Sequence, residues 1–146
     1  MVTGISLEQA VALMTGGLSP LPPETLPAVQ ALGRTLVSHV TAPMDQPPFD
    51  RSPLDGYALR AADIAGADRD HPVCLPVADT LYAGDKAKSP LLPGQAVRIM
   101  TGAMLPPGCD CVVPQEDTDR GDPVSVFVSL KPFQNYVYQG EDYRKG

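Results

Sequence analysis

Tryptophan is absent from this 146-residue chain and aromatic residues make up only 5% of it. Any core must therefore rest on Val, Leu, Ile, Ala and Met. No apolar run approaches the ~20 residues that span a bilayer. The N-terminus MVTGISLEQAVALM has no basic n-region and carries Glu8 inside its apolar stretch, unlike a signal peptide. A cytoplasmic protein with no membrane partner is expected. Basic charge is also scarce: 11 Lys and Arg against 17 Asp and Glu leave a net charge of −6. Gripping nucleic acid takes a basic stripe to neutralise phosphate, and its lack excludes a nucleic-acid partner. In so acidic a chain, a polyphosphate ligand requires a metal ion, backbone N–H donors or a basic partner segment. The three cysteines, Cys74, Cys109 and Cys111, are an odd count without a secretory leader, which argues against a disulfide framework. Cys109 and Cys111 lack a second ligand pair for a metal; in a strand they would point to one face together.

What is abundant is punctuation. Seventeen prolines and 13 glycines cut the chain into short pieces, favouring strands joined by turns over long helices. One helix is well signposted. Ser6 and Gln9 form a capping-box pattern, Leu7, Ala10, Val11 and Met14 recur at helical spacing, and Gly16-Gly17 supplies a stop. Residues 29–35 predict a second, shorter helix, and LVSHVTAP after it predicts a strand through Leu36, Val37 and Val40. Beyond Asp45 the character changes. Residues 55–60 are short and half-apolar, while residues 73–82 and 96–100 read as strands. Cys111–Pro114 and residues 124–130 flank the acidic turn EDTDRGD as a hairpin, with Val124, Val126, Val128 and Leu130 on one face. The expected fold is α+β and mostly β. A small α/β arm (1–44) precedes a compact, barrel-like β-rich domain (45–139), and a tail (140–146) returns to the arm.

Three segments combine a glycine with polar side chains. In PFDRSPLDGYAL, Asp50, Arg51, Ser52 and Asp55 share a loop stiffened by Pro47, Pro48 and Pro53. Asp55-Gly56 is a turn dipeptide in its own right, yet two carboxylates, a guanidinium and a hydroxyl in one rigid loop are also able to bind a metal or orient water. In RIMTGAMLPPG an apolar strand runs into Thr101-Gly102-Ala103. Gly102 permits a nest of converging N–H groups for an anion, and Thr101 adds a hydroxyl; a simple Gly turn is the alternative. Gly140-Glu141-Asp142 pairs acids beside a glycine, which suits magnesium or a solvated linker. The P-loop pattern is missing, which disfavours an ordinary nucleotide triphosphatase.

Taken together, PFDRSPLDGYALRAADI, RIMTGAMLPPGCDCVVPQE and GED, in this order, resemble the N-terminal domains of the molybdopterin molybdenumtransferase family, comprising bacterial MoeA and the E domain of gephyrin. SLEQAVALM and ETLPAVQALGRTLVSHVTAP extend the resemblance over essentially the whole chain. It implies magnesium-dependent insertion of molybdate into adenylylated molybdopterin, with hydrolysis of the adenylyl phosphoanhydride. It also implies a homodimer working beside other enzymes of molybdenum cofactor biosynthesis. Carried over motif by motif, Asp55 and Asp142 would be catalytic and would hold magnesium, and Thr101, Gly102 and Ser52 would bind substrate. The family's large α/β domain and C-terminal β domain lie outside these residues, so the resemblance implies half a site, inactive alone. Relatives often carry arginines before GED, where this chain has Tyr136-Val137-Tyr138-Gln139. The family also includes gephyrin-like scaffolds, which makes a non-catalytic binding module the second expectation.

Overall fold

The computed structural model describes residues 4–146, so the first three residues of the arm lie outside it. It divides into two compact units, one ending at Val40 and the other spanning Thr41–Gly146. In the first, helix α1 (Leu7–Thr15) starts at the expected cap: the Gln9 N–H donates to Ser6 Oγ at 3.3 Å and the Ser6 N–H donates to Gln9 Oε1 at 3.0 Å. No residue of α1 is buried, and Leu7, Val11 and Met14 stand exposed. Helices this short are marginal alone, so the capping box matters here. The shorter helix shrinks to a single 3-10 turn, Ala28–Gln30, and the chain turns at Gly33 with φ +81°. The strand expected in LVSHVTAP does not form; Leu36, Val37 and Val40 are exposed and find no partner strand among the described residues. A strand needs a neighbour to satisfy its backbone groups, and the sequence pattern alone does not reveal that the neighbour is missing.

The second unit is mostly β, arranged as a four-stranded and a two-stranded sheet. Strands β1 (Gly56–Leu59), β2 (Val73–Leu75), β3 (Val77–Leu81), β4 (Ala96–Ile99), β5 (Cys111–Pro114) and β6 (Val124–Val126) follow in chain order. The larger sheet runs β3-β4-β1-β5, with β1 antiparallel to both neighbours and β3 parallel to β4; β2 pairs with β6. The strands form no closed barrel among the described residues. Residues 73–82 split at Pro76, whose missing N–H prevents an unbroken ladder, and the halves join different sheets.

The hairpin is also relocated. β5 pairs with β1 rather than β6. Pro114, at φ −56°, leads out of the sheet into a 3-10 turn, Gln115–Asp117. The hairpin pairing occurs further on: Asp119 N–H donates to Ser125 O and Phe127 N–H to Asp117 O. The alternation from Val124 to Leu130 holds, because all four residues pack on one core cluster.

β1 is buried at every position. Tyr57 and Leu59 enter a cluster with Cys111, Val113 and, from the small sheet, Leu75, Val124 and Val126. Ala58 enters the opposite cluster with Leu81, Val97, Ile99 and Val112. Apolar material on both faces explains why GYAL and CVV read as continuous apolar runs instead of alternating. Each fully buried large side chain contributes roughly 1.5–3 kcal/mol. Cys111 packs in the first cluster and Cys109 against the second, so they do not share a face. Cys109 precedes the strand, and the alternation rule does not reach it.

Gly56 marks the tightest approach. A Cβ there would lie 2.0 Å from the Val113 carbonyl oxygen, a backbone atom that cannot step aside. Gly56→Ala is expected to destabilise the unit by about 3 kcal/mol or more, read as a drop in urea midpoint. Gly94→Ala, with open space but φ +73°, should cost only ~1–2 kcal/mol.

Candidate functional site

Asp55 sits immediately before β1 and Thr101 shortly after β4, and the β1–β4 register (Gly56 opposite Ile99) brings the two loops side by side. Three backbone bonds stitch them: Leu105 N–H to Asp50 O at 3.0 Å, Ser52 N–H to Ala103 O at 3.0 Å, and Gly102 N–H to Ser52 O at 2.9 Å. The Ala103 N–H donates to Met100 O, closing a turn that needs Gly102 at φ +81°. Into that turn Asp55 places one oxygen. Its Oδ1 accepts the Thr101 N–H at 2.8 Å and the Thr101 hydroxyl at 2.7 Å. The anion in the MTGA nest is the chain's own carboxylate.

This arrangement brings together Asp55, Thr101, Gly102 and Ser52. It also assigns their donors. The Gly102 N–H is occupied by Ser52 O; the Ser52 hydroxyl is fully buried and donates to Leu54 O at 2.6 Å while accepting the Leu54 N–H. Both groups frame the loop that carries Asp55. Asp55 Oδ2 remains free, accepting no hydrogen bond among the described residues. The Thr101 hydroxyl and N–H hold the Asp55 carboxyl below the usual carboxylate range, and Arg98 adds a smaller pull.

Asp142 is placed differently. Its N–H donates to Gln46 O, its side chain is exposed, and no hydrogen bond links it to Asp55. Asp50, a neighbour of Asp55 in sequence, turns away: its two oxygens accept the Gln139 N–H at 2.7 Å and the Tyr136 hydroxyl. Arg51 pairs its backbone with Val137 and Met104, and its Nε is buried without an acceptor among the described residues. The sequence reading missed the part played by Asp45, which accepts from Gln139 Nε2 and the Lys145 N–H, both at 2.8 Å. No local signal marks it, because its partners lie about a hundred residues away.

Among the described residues no three His, Cys, Asp or Glu side chains gather as a metal cluster. Burial, with Asp110 next in effect, pushes the Cys109 and Cys111 thiols up to about 12, so both stay protonated and poor as ligands.

A family described as the MoeA N-terminal region (domain I and II) matches residues 5–146. Molybdopterin molybdenumtransferase 2 of Mycobacterium tuberculosis is 44% identical over 140 residues, covering 95% of this chain and 34% of that protein. Molybdopterin molybdenumtransferase of Bacillus subtilis is 46% identical over 121 residues, covering 80% of this chain and 28% of that protein. The crystal structure of the molybdopterin biosynthesis MoeA protein from Pyrococcus horikoshii OT3 superposes with a TM-score of 0.77 at 39% identity, covering 84% of this chain and 33% of that one. The chain thus spans about a third of the length of the relatives it matches.

Asp45, Asp55 and Asp119 all have pKa values lowered chiefly by hydrogen bonds that the folded chain donates. A folded value below the unfolded one gives stability that is present above the unfolded pKa and lost as pH falls through the folded value. The thermal midpoint should therefore stay level down to about pH 4 and fall below it. Asp55→Asn should lower the midpoint at neutral pH and shallow the acid limb; an unchanged limb would mean the Thr101 bonds do not form.

Proposed function

The chain belongs to the MoeA N-terminal region family, and from that premise we propose that it is part of an enzyme inserting molybdate into adenylylated molybdopterin. The observation that carries this reading is the Asp55–Thr101 pair, a carboxylate fixed by two donors with its second oxygen free. Asp55 is held ionised, so it acts as an acceptor and not as a general acid. Its low pKa also makes it a weak base near neutrality. Its role is to orient a water or ligand hydroxyl through Oδ2 beside the phosphoanhydride. Thr101 fixes Asp55 in that pose, while Gly102 and Ser52 keep the loop rigid under the substrate. Asp142 adds a carboxylate from the tail side of the ligand.

Magnesium usually takes one or two carboxylates, with waters and substrate phosphate completing its shell. Asp55 Oδ2 fits as one such ligand, and Asp142 is the candidate for the second across water or substrate. When bound, the ion neutralises charge on the phosphoanhydride that the acidic surroundings would otherwise repel.

A chain of this length supplies part of the site, and the rest comes from further domains and a second subunit. The exposed Leu7, Val11, Met14 and Leu18 of the first unit support a homodimer, since an apolar patch of this kind favours association. No helix among the described residues is long and apolar enough to cross a membrane; we place the enzyme in the cytoplasm with the other molybdenum cofactor enzymes.

In the full-length protein, Asp55→Asn is expected to slow molybdate-dependent release of AMP about 100-fold or more, with ligand affinity little changed by calorimetry. Unaltered turnover would remove Asp55 from the mechanism. If the unaltered protein binds adenylylated molybdopterin without molybdate-dependent AMP release, a scaffold role replaces the enzymatic one.

A further inference from the structure

Asp55 directly precedes β1, and its carbonyl accepts the Gln115 N–H in continuation of the β1–β5 ladder, so Asp55 and Tyr57 lean to the same face of the larger sheet. Arg98 stands directly opposite Tyr57 in the β1–β4 register, and cross-strand partners project together. The Tyr57 ring is 1% exposed and fixed in the core. Arg98 Cζ lies 5.9 Å from that ring's centroid, and Nη1 is 3.4 Å from the Tyr57 hydroxyl. Arg98 is partly buried, and its guanidinium is aligned against a rigid wall. Its charge is felt at the Asp55 carboxylate. Yet in a chain with 17 carboxylates, none lies within ion-pair range of Arg98 among the described residues; the three ion pairs there belong to Arg34, His71 and Arg120.

A guanidinium has five donors in a planar fork suited to phosphate oxygen. Arg98 has one weak acceptor, the Tyr57 hydroxyl, and its remaining donors bond no other protein group among the described residues, so they are free for a ligand. Arg34 and Arg120 each pair with a glutamate. Asp55, whose carboxylate feels the Arg98 charge, has Oδ1 filled by Thr101 and does not bond to Arg98.

We propose that Arg98 is a binding residue of the same site, receiving oxygens of the ligand's phosphoanhydride on the face it shares with Asp55, with Tyr57 as its positioning residue. This rests on the reading of the site given above and extends it. The site then presents both signs of charge: a carboxylate to orient water or metal and a guanidinium to hold phosphate. That answers the problem posed by a net charge of −6, since the positive group is local and not spread over the surface.

Inorganic pyrophosphate and AMP are the probes, one carrying the anhydride and the other only a monoester. Each is titrated into the isotopically labelled 146-residue chain, reading the Arg98 Nε–H and the Thr101 and Gly102 amide signals by NMR. Pyrophosphate should move the Arg98 signal and bind more tightly than AMP. Arg98→Gln should weaken pyrophosphate about 10-fold; Arg98→Lys, which keeps charge without the fork, should lose less and serves if the first variant folds poorly. Tyr57→Phe should broaden or shift the Arg98 signal. Arg69→Gln, on the exposed surface, should change nothing. Equal pyrophosphate affinity in Arg98→Gln or Arg98→Lys and the unaltered chain, or an equal loss in Arg69→Gln, would overturn the assignment. Failure of AMP release in the full-length protein, with pyrophosphate binding at Arg98 intact, would instead count against the enzymatic reading alone.

Discussion

Two donors of one threonine converge on a single carboxylate oxygen, and the geometry around the site follows from that bond pair. Thr101 reaches Asp55 because β1 and β4 are neighbours in fixed register, and because Gly102 turns the chain back at positive φ. The same turn sends the Gly102 N–H to Ser52, which locks the preceding loop. Remove the carboxylate and two donors lose their acceptor at once; the loop pair then keeps only its backbone stitches. Charge-assisted bonds of this kind are stronger than neutral ones. They also hold the acid ionised, which decides what chemistry it can perform.

Acidity in this chain does structural work well beyond the site. Asp110 accepts the Ala61 N–H, Asp63 the Gly94 N–H, Asp119 those of Gly121 and Ser125, and Asp122 that of Val77. A mostly β chain with 17 prolines and 13 glycines leaves many loop N–H groups without ladder partners. Short side-chain carboxyls satisfy them. The acidic composition is thus a consequence of loop-rich architecture as much as a statement about ligands. Arg98, wedged against Tyr57, has no carboxylate partner among the described residues.

Legibility varied by element in a physically consistent way. The capping box at Ser6 and Gln9 was readable because both halves of the bond lie three residues apart. The alternation of Val124 to Leu130 was readable because one face is buried. β4 and β5 were placed well, since short apolar runs with turn residues at each end leave few alternatives. The hairpin after β5 was misjudged because strand pairing is a long-range choice: β5 satisfies its backbone against β1, some fifty residues earlier. The strand expected through LVSHVTAP failed for the complementary reason, apolar residues with no neighbour to pair with among the described residues. The motifs named Asp55, Thr101, Gly102 and Ser52, which the fold brings together, but they did not reveal that Asp55 itself fills the nest or that Asp50 turns to Tyr136 and Gln139.

The sequence by itself determined the family, through motifs whose order and spacing are specific, and the local devices whose partners are close along the chain. Those are the helix cap, the proline breaks and the glycine turns. Tertiary structure alone decided which donors meet which acceptors across fifty to a hundred residues. It joined Asp55 to Thr101, tied Asp45 to Lys145 and Asp50 to Gln139, and set Arg98 against the Tyr57 ring. Hydrogen bonds act over about 3 Å, and only the register of packed strands brings distant residues to that distance.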